Sequence, residues 1–225
     1  MTSEESEPNT ARKLVAEAIG TFFLFLAVIG SGIMAEDLAS GNGGVALISN
    51  TLSIGAILFV LISMLGPISG AHFNPAVTLA FVVRREIRPG LAAAFVAVQV
   101  VAGSCAGFVA HVMFTLPVLQ VSDTPRTGVG QWAGEFIATF GLVLTILLLL
   151  RYRPAAIPAA VALYISSAIW FTSSTSFANP AIAVARTLTD TYTGIAPGDA
   201  PMFIAAQLIG SLVAVATARW LTATD

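Results

Sequence analysis

Between Asp37 and Arg84 the chain runs from Leu38 to Val83 without a single Asp, Glu, Lys or Arg. One helix crosses a hydrocarbon core of about 30 Å with about 20 residues, so this run is more than twice too long for one crossing and must turn back inside the bilayer. Further uncharged runs lie between Arg88 and Asp123 and between Arg153 and Arg186. With 56% hydrophobic and only 10% charged residues, the chain lies outside the range of a water-soluble domain. These features define an all-α membrane protein.

Hydropathy places six full spans near residues 14–35, 46–65, 91–114, 132–150, 157–171 and 202–221. Two apolar pieces remain, near 74–83 and 179–188. Each has about 10 residues, or about 15 Å as a helix, and enters only half of the membrane. Residues 1–11 are expected to form a polar tail and residues 12–225 a single membrane domain whose halves span about 12–120 and 131–223, joined by "VSDTPRTGVGQ". No cleavage site follows Arg12 and Lys13, so the first segment is expected to stay as a span. A net charge of −2 gives no reason to expect a nucleic-acid partner. Cys105 is the lone cysteine; it forms no internal disulfide and is expected as core filler.

The halves repeat each other. "AEAIGTFFL" at 16–24 matches "GEFIATFGL" at 134–142, aligning Glu17 with Glu135, and "AVQVVAG" at 97–103 answers "AAQLIGS" at 205–211, aligning Gln99 with Gln207. Between these flanks stand "SGAHFNPAVTLA" at 69–80 and "SFANPAIAVART" at 176–187. Three spans per half is an odd number, so the second half enters from the opposite side and the repeat is inverted. Arg12, Lys13, Arg84, Arg85, Arg88, Arg151, Arg153 and Arg219 fall on one side of this layout, with Arg126 and Arg186 opposite, which predicts cytoplasmic termini.

Asn74-Pro75-Ala76 and Asn179-Pro180-Ala181 are helix starts: Asn caps, Pro at the first helical position loses no needed donor, and Ala permits close approach. Irregular backbone at membrane depth must be buried by protein or line a wet path. The segments before Asn74 and Asn179 are therefore expected to turn carbonyls toward a narrow passage. Two helix starts facing each other repel cations, while the Asn amides donate to a passing oxygen.

With these motifs the chain resembles the aquaporin and aquaglyceroporin family, the major intrinsic proteins, over essentially everything after residue 12. The resemblance implies six spans plus two re-entrant half-helices, a pore inside each chain, a homotetramer, and passive transport without cofactor or metal. Members commonly carry Arg directly after the second Asn-Pro-Ala, in the outer constriction; here Ile182 stands there. Ungapped counting from the motifs puts the other constriction positions at Ile54, Ser167 and Ser176. Two Ile and two Ser make a wall wider than a water-only filter and amphipathic. Such a wall suits small uncharged solutes such as glycerol or arsenous acid, As(OH)3, with water alongside. A strict water channel and a coupled secondary transporter are the alternatives; coupling would need titratable groups at the midplane, where amides and carbonyls stand instead.

Arg186 lies one helical turn beyond Ile182 and has two readings: an arginine guarding the outer mouth, or one that snorkels or holds a loop carbonyl. Glu17 and Glu135 read as supports that accept backbone N–H groups of the loops, helped by Gln99 and Gln207, or as proton-handling groups. His72 reads as a loop hydrogen-bonding residue or a pH gate. His111 is expected at the interface, and "GSCAG" at 103–107 suggests close helix packing. No His–acid–nucleophile or metal-ligand pattern points to an enzyme. Short loops suit a bacterial inner membrane.

Overall fold

The computed structural model describes residues 9–223, all helices and loops. Eight α-helices follow in order: α1 Thr10–Ala39, α2 Gly43–Ser69, α3 Pro75–Val83, α4 Pro89–Met113, α5 Val129–Tyr152, α6 Ile157–Phe171, α7 Pro180–Ala185 and α8 Ala200–Leu221. Short 3-10 turns precede α6 (Pro154–Ala156) and follow α7 (Arg186–Leu188). Six segments are long and apolar enough to cross a membrane, and α3 and α7 are the two half-helices. Of the expected tail at 1–11, Thr10 and Ala11 belong to α1, which Asn9 caps by accepting from the Arg12 N–H at 2.9 Å; residues 1–8 lie outside the described residues.

Local chemistry sets the boundaries. Asn42 caps α2 through the Gly44 and Val45 N–H groups, and Gly70, left-handed at φ 89°, ends it by donating to Gly66 O. Asn74 and Asn179 cap α3 and α7, each followed by Pro at the first helical position.

Helix packing obeys the inverted repeat. Helix α1 packs on α2 and α4 as α5 packs on α6 and α8, while α3 lies against α8 and α7 against α4. Each half-helix is thus braced by the last span of the other half, and α2 meets α6 at the centre. Close approach makes this possible. The Phe25 ring of α1 occupies the space a side chain on Gly103 would need, and Gly210 lies against the Phe136 carbonyl and Phe140 N–H of α5. Cys105, expected in the core, is exposed on the outer surface of α4 instead. His111, expected at an interface, is fully buried: its ring meets the Val118 carbonyl and the Thr189 hydroxyl, both at 2.8 Å.

The termini of α1 and α8 lie on the face with the α3–α4 and α5–α6 connections, here called the termini face; the α4–α5 linker and the loop after α7 form the distal face. The linker is fastened there rather than loose. Ser122 N donates to Thr187 O, Ala196 N to Thr124 O, and Arg126 N to an Asp199 carboxylate oxygen.

Candidate pore and its two re-entrant loops

A cavity threads the bundle, lined near the termini face by Leu150, Ile157, Ile62 and Phe81 and near the distal face by Asn50, Arg126, Arg186 and Tyr192. Its midsection is formed by the two re-entrant loops, Gly70–Asn74 and Thr175–Asn179.

Both loops hold a backbone that ordinary residues rarely adopt. Ala71, Phe73, Thr175, Ser176 and Ala178 all have φ between 46° and 61°. Such conformations persist only where surrounding contacts over-determine them. The two buried glutamates supply those contacts. Glu17 accepts from the N–H groups of His72 (2.9 Å) and Phe73 (2.8 Å), from the Ser69 hydroxyl (2.7 Å) and from the Gln99 amide (2.9 Å). Glu135 accepts from the N–H groups of Phe177 (2.8 Å) and Ala178 (2.9 Å) and from Gln207 (2.5 Å). Both carboxylates are 0% exposed and neither lines the cavity. This geometry favours the support reading over proton handling. Charge-assisted bonds of this length satisfy the N–H donors from behind and leave the loop carbonyls for the passage.

The two loops also hold each other. Asn74 Nδ2 donates to Ala178 O at 2.7 Å, and Asn179 Nδ2 donates to Phe73 O at 2.9 Å. Each Asn Oδ1 is committed to its own helix start, at Ala76 N and at Ala181 and Ile182 N. An amide carries two N–H groups. Each Asn therefore keeps one hydrogen free, on a side chain that cannot flip, so the paired asparagine side chains present donors only.

The structure corrects one position. Ser167 is exposed on the outside of α6, whereas Ile157, Val161, Ile165 and Ile169 line the cavity at successive turns. Ungapped counting slipped because the Thr172–Ala178 loop sets its own length, and helical period then decides which side chain faces inward. Ile54, Ser176 and Ile182 do line the cavity, so the distal half of the wall is Ile54, Ile165, Ile169, Ile182 and Ser176, whose hydroxyl has no hydrogen-bond partner.

Arg186 stands at the distal mouth and also holds a loop carbonyl. It lines the cavity, is 6% exposed, and its Nε–H donates to the Thr193 carbonyl while its guanidinium carbon sits 3.4 Å from the centroid of the Phe177 ring. On the termini side, His72 packs its ring against Phe81 at 4.4 Å and bonds Thr78 Oγ1 at 3.1 Å.

Four cavity residues escaped sequence reasoning. Asn50 spends its amide hydrogens on Val28 O (3.0 Å) and Ser31 Oγ (2.8 Å), which leaves its carbonyl oxygen as an acceptor on the wall. One helical turn before Ile54, it was within reach of periodicity. Phe177, Arg126 and Tyr192 lie in loops, where no period assigns a direction. Arg126 reaches the mouth from the linker, its Nε–H donating to Gly194 O at 2.7 Å. Burial lowers its guanidinium from the ordinary value, opposed by the Glu135 and Tyr192 charges, and burial raises the Tyr192 phenol.

Six spans, two half-helices meeting at paired asparagines and a continuous internal passage define a membrane channel for small solutes. The family model described as Major intrinsic protein matches residues 4–172, and the chain belongs to this family. It is 52% identical over 216 residues to Aquaglyceroporin AqpS of Rhizobium meliloti (strain 1021), covering 96% of this chain and 92% of that protein. It is 32% identical over 200 residues to Aquaporin NIP2-1 of Zea mays, covering 84% of this chain and 65% of that one. The structure of the aquaglyceroporin from Plasmodium falciparum superposes with a TM-score of 0.74 at 19% identity, covering 92% and 95% of the two chains, a likeness that shows the fold.

Proposed function

We propose that the channel conducts glycerol-like polyols or arsenous acid down their gradients, with water as co-permeant, and that no catalytic step or cofactor is involved. One observation carries this reading: the distal half of the passage is walled by Ile54, Ile165, Ile169 and Ile182, with no charged side chain at position 182. A carbon skeleton slides past the isoleucines while its hydroxyls exchange partners with the loop carbonyls and the two asparagine amides. Asn50 accepts and Arg186 donates at the mouth, which suits a solute whose hydroxyls do both. The similarity to a protein named an aquaglyceroporin supports the same substrate class.

The working channel is a homotetramer with a pore in each chain, a single domain in two inverted halves, set in a bacterial inner membrane with the termini face cytoplasmic. The arginines of that face, Arg84, Arg85, Arg88, Arg151 and Arg153, support this orientation.

A strict water channel is the second reading, favoured by the Arg186 guanidinium at the mouth. Stopped-flow light scattering on proteoliposomes separates the two. Swelling in glycerol and uptake of arsenite well above empty liposomes support the first reading; water flux alone supports the second.

A further inference from the structure

The distal mouth holds two cations where solute guidance needs at most one. Arg126 comes from the α4–α5 linker and Arg186 from the turn after α7, and both line the cavity. Their guanidinium carbons lie 5.1 and 3.4 Å from the centroid of the same ring, Phe177, so the sum of those distances bounds their separation. Where the two groups flank the cavity side of the ring, closer together than that bound, one small oxyanion reaches both through charge-assisted hydrogen bonds of about 2.8 Å.

Neither group is paired directly with a carboxylate, and the one Glu135 charge behind the ring acts on both. Among the described residues neither makes an ion pair; each gives its Nε–H to a loop carbonyl, Gly194 or Thr193, and its terminal nitrogens have no protein partner. Those nitrogens are also not sealed from the cavity. The carboxylates nearby are turned elsewhere. Glu135 is tied to Phe177 N, Ala178 N and Gln207 behind the ring, and Asp199 accepts from the Arg126 backbone N–H rather than its side chain. Two like charges brought to one ring repel, and that repulsion is relieved by an anion between them. The Tyr192 hydroxyl is available as a further donor on the same wall.

We infer that the distal mouth is a binding site for a small monovalent oxyanion, a carboxylate or sulfonate, held between Arg126 and Arg186, and that its occupancy obstructs the entry of neutral solutes. The inference concerns a ligand of the mouth and stands whichever neutral solute passes.

Methanesulfonate is the probe, because it carries one charge at every accessible pH and does not cross lipid as a neutral acid. Binding is read first as a rise in the thermal unfolding midpoint of the wild-type channel in detergent, titrating sodium methanesulfonate against sodium chloride at equal ionic strength. Flux is read second, as glycerol entry into proteoliposomes with either salt on both sides. The expected results are a saturable rise in the midpoint and a roughly twofold drop in glycerol entry when methanesulfonate equals its dissociation constant. Arg126→Gln is expected to lose both responses relative to its own chloride baseline, Arg126→Lys to keep them weakened, and Arg85→Gln on the termini face to keep them in full. If Arg126→Gln does not assemble, the wild-type titration still decides. Absence of saturable stabilisation overturns the inference, as does a response that survives in Arg126→Gln. A channel that binds methanesulfonate but passes no glycerol overturns the transport reading and leaves the site standing.

Discussion

The two re-entrant loops are built alike and then part company within three turns of chain. Two residues before each asparagine stands an aromatic ring, His72 or Phe177, and seven residues after it stands the side chain that packs on that ring, Phe81 or Arg186. Glu17 and Glu135, Gln99 and Gln207, and the crossed asparagine bonds are equivalent in kind. The termini-side pair is two rings; the distal pair is a ring and a cation. The scaffold is common to both loops, and the difference between them lies in the partner of one ring. Arg186 is thus the repeat equivalent of Phe81, which explains why it sits one turn beyond Ile182 and still reaches the passage.

The largest expected effect tests the shared part. Glu17→Ala strands the N–H groups of His72 and Phe73, and Glu135→Ala strands those of Phe177 and Ala178, at about 1 to 3 kcal/mol for each buried donor left without a partner. Both variants are expected to lower the unfolding midpoint sharply, by similar amounts, and to abolish flux. A variant of either that folds and conducts normally would remove the scaffold half of the comparison.

Next comes the charge. Arg186→Ala is expected to admit Na+ roughly tenfold faster, since a nearby unit charge in a partly buried mouth is worth about 1 to 3 kcal/mol. Phe81→Ala, at the equivalent position, is expected to leave Na+ exclusion intact. A fluorescence assay of Na+ entry into liposomes compares them directly. Smaller again is the difference within α6. Ile169→Phe should cut glycerol entry several-fold by narrowing the wall, whereas Ser167→Phe, on the outer surface, should change it by less than about twofold, the scale of ordinary surface substitutions.

The spans, the half-helices, the inverted repeat and the asparagine starts were legible because each rests on a local signal. Uncharged length, helical caps and the matching of Glu17 with Glu135 are all written in consecutive residues. What the sequence hid depends on distance. Ungapped counting points to Ser167 because a gap in a loop is invisible to it, whereas the side chains that line the cavity follow the four-residue period of Ile157, Val161, Ile165 and Ile169. Arg126 was hidden for a stronger reason: it lies in a linker with no period, and only its bond to the Gly194 carbonyl brings it to the mouth. Phe177 could have been found by laying the second loop over the first, where it falls on His72.

The central claim is that the isoleucine-lined wall without a charge at position 182 passes solutes larger than water. The most direct test is the ratio of glycerol to water permeability, measured by stopped-flow on the same proteoliposomes, for the wild type and for Ile182→Arg. The account predicts a wild-type glycerol permeability well above empty liposomes and a ratio that falls roughly tenfold in Ile182→Arg, the scale of about 1 to 3 kcal/mol by which such walls discriminate. A wild type that passes water and excludes glycerol would contradict it.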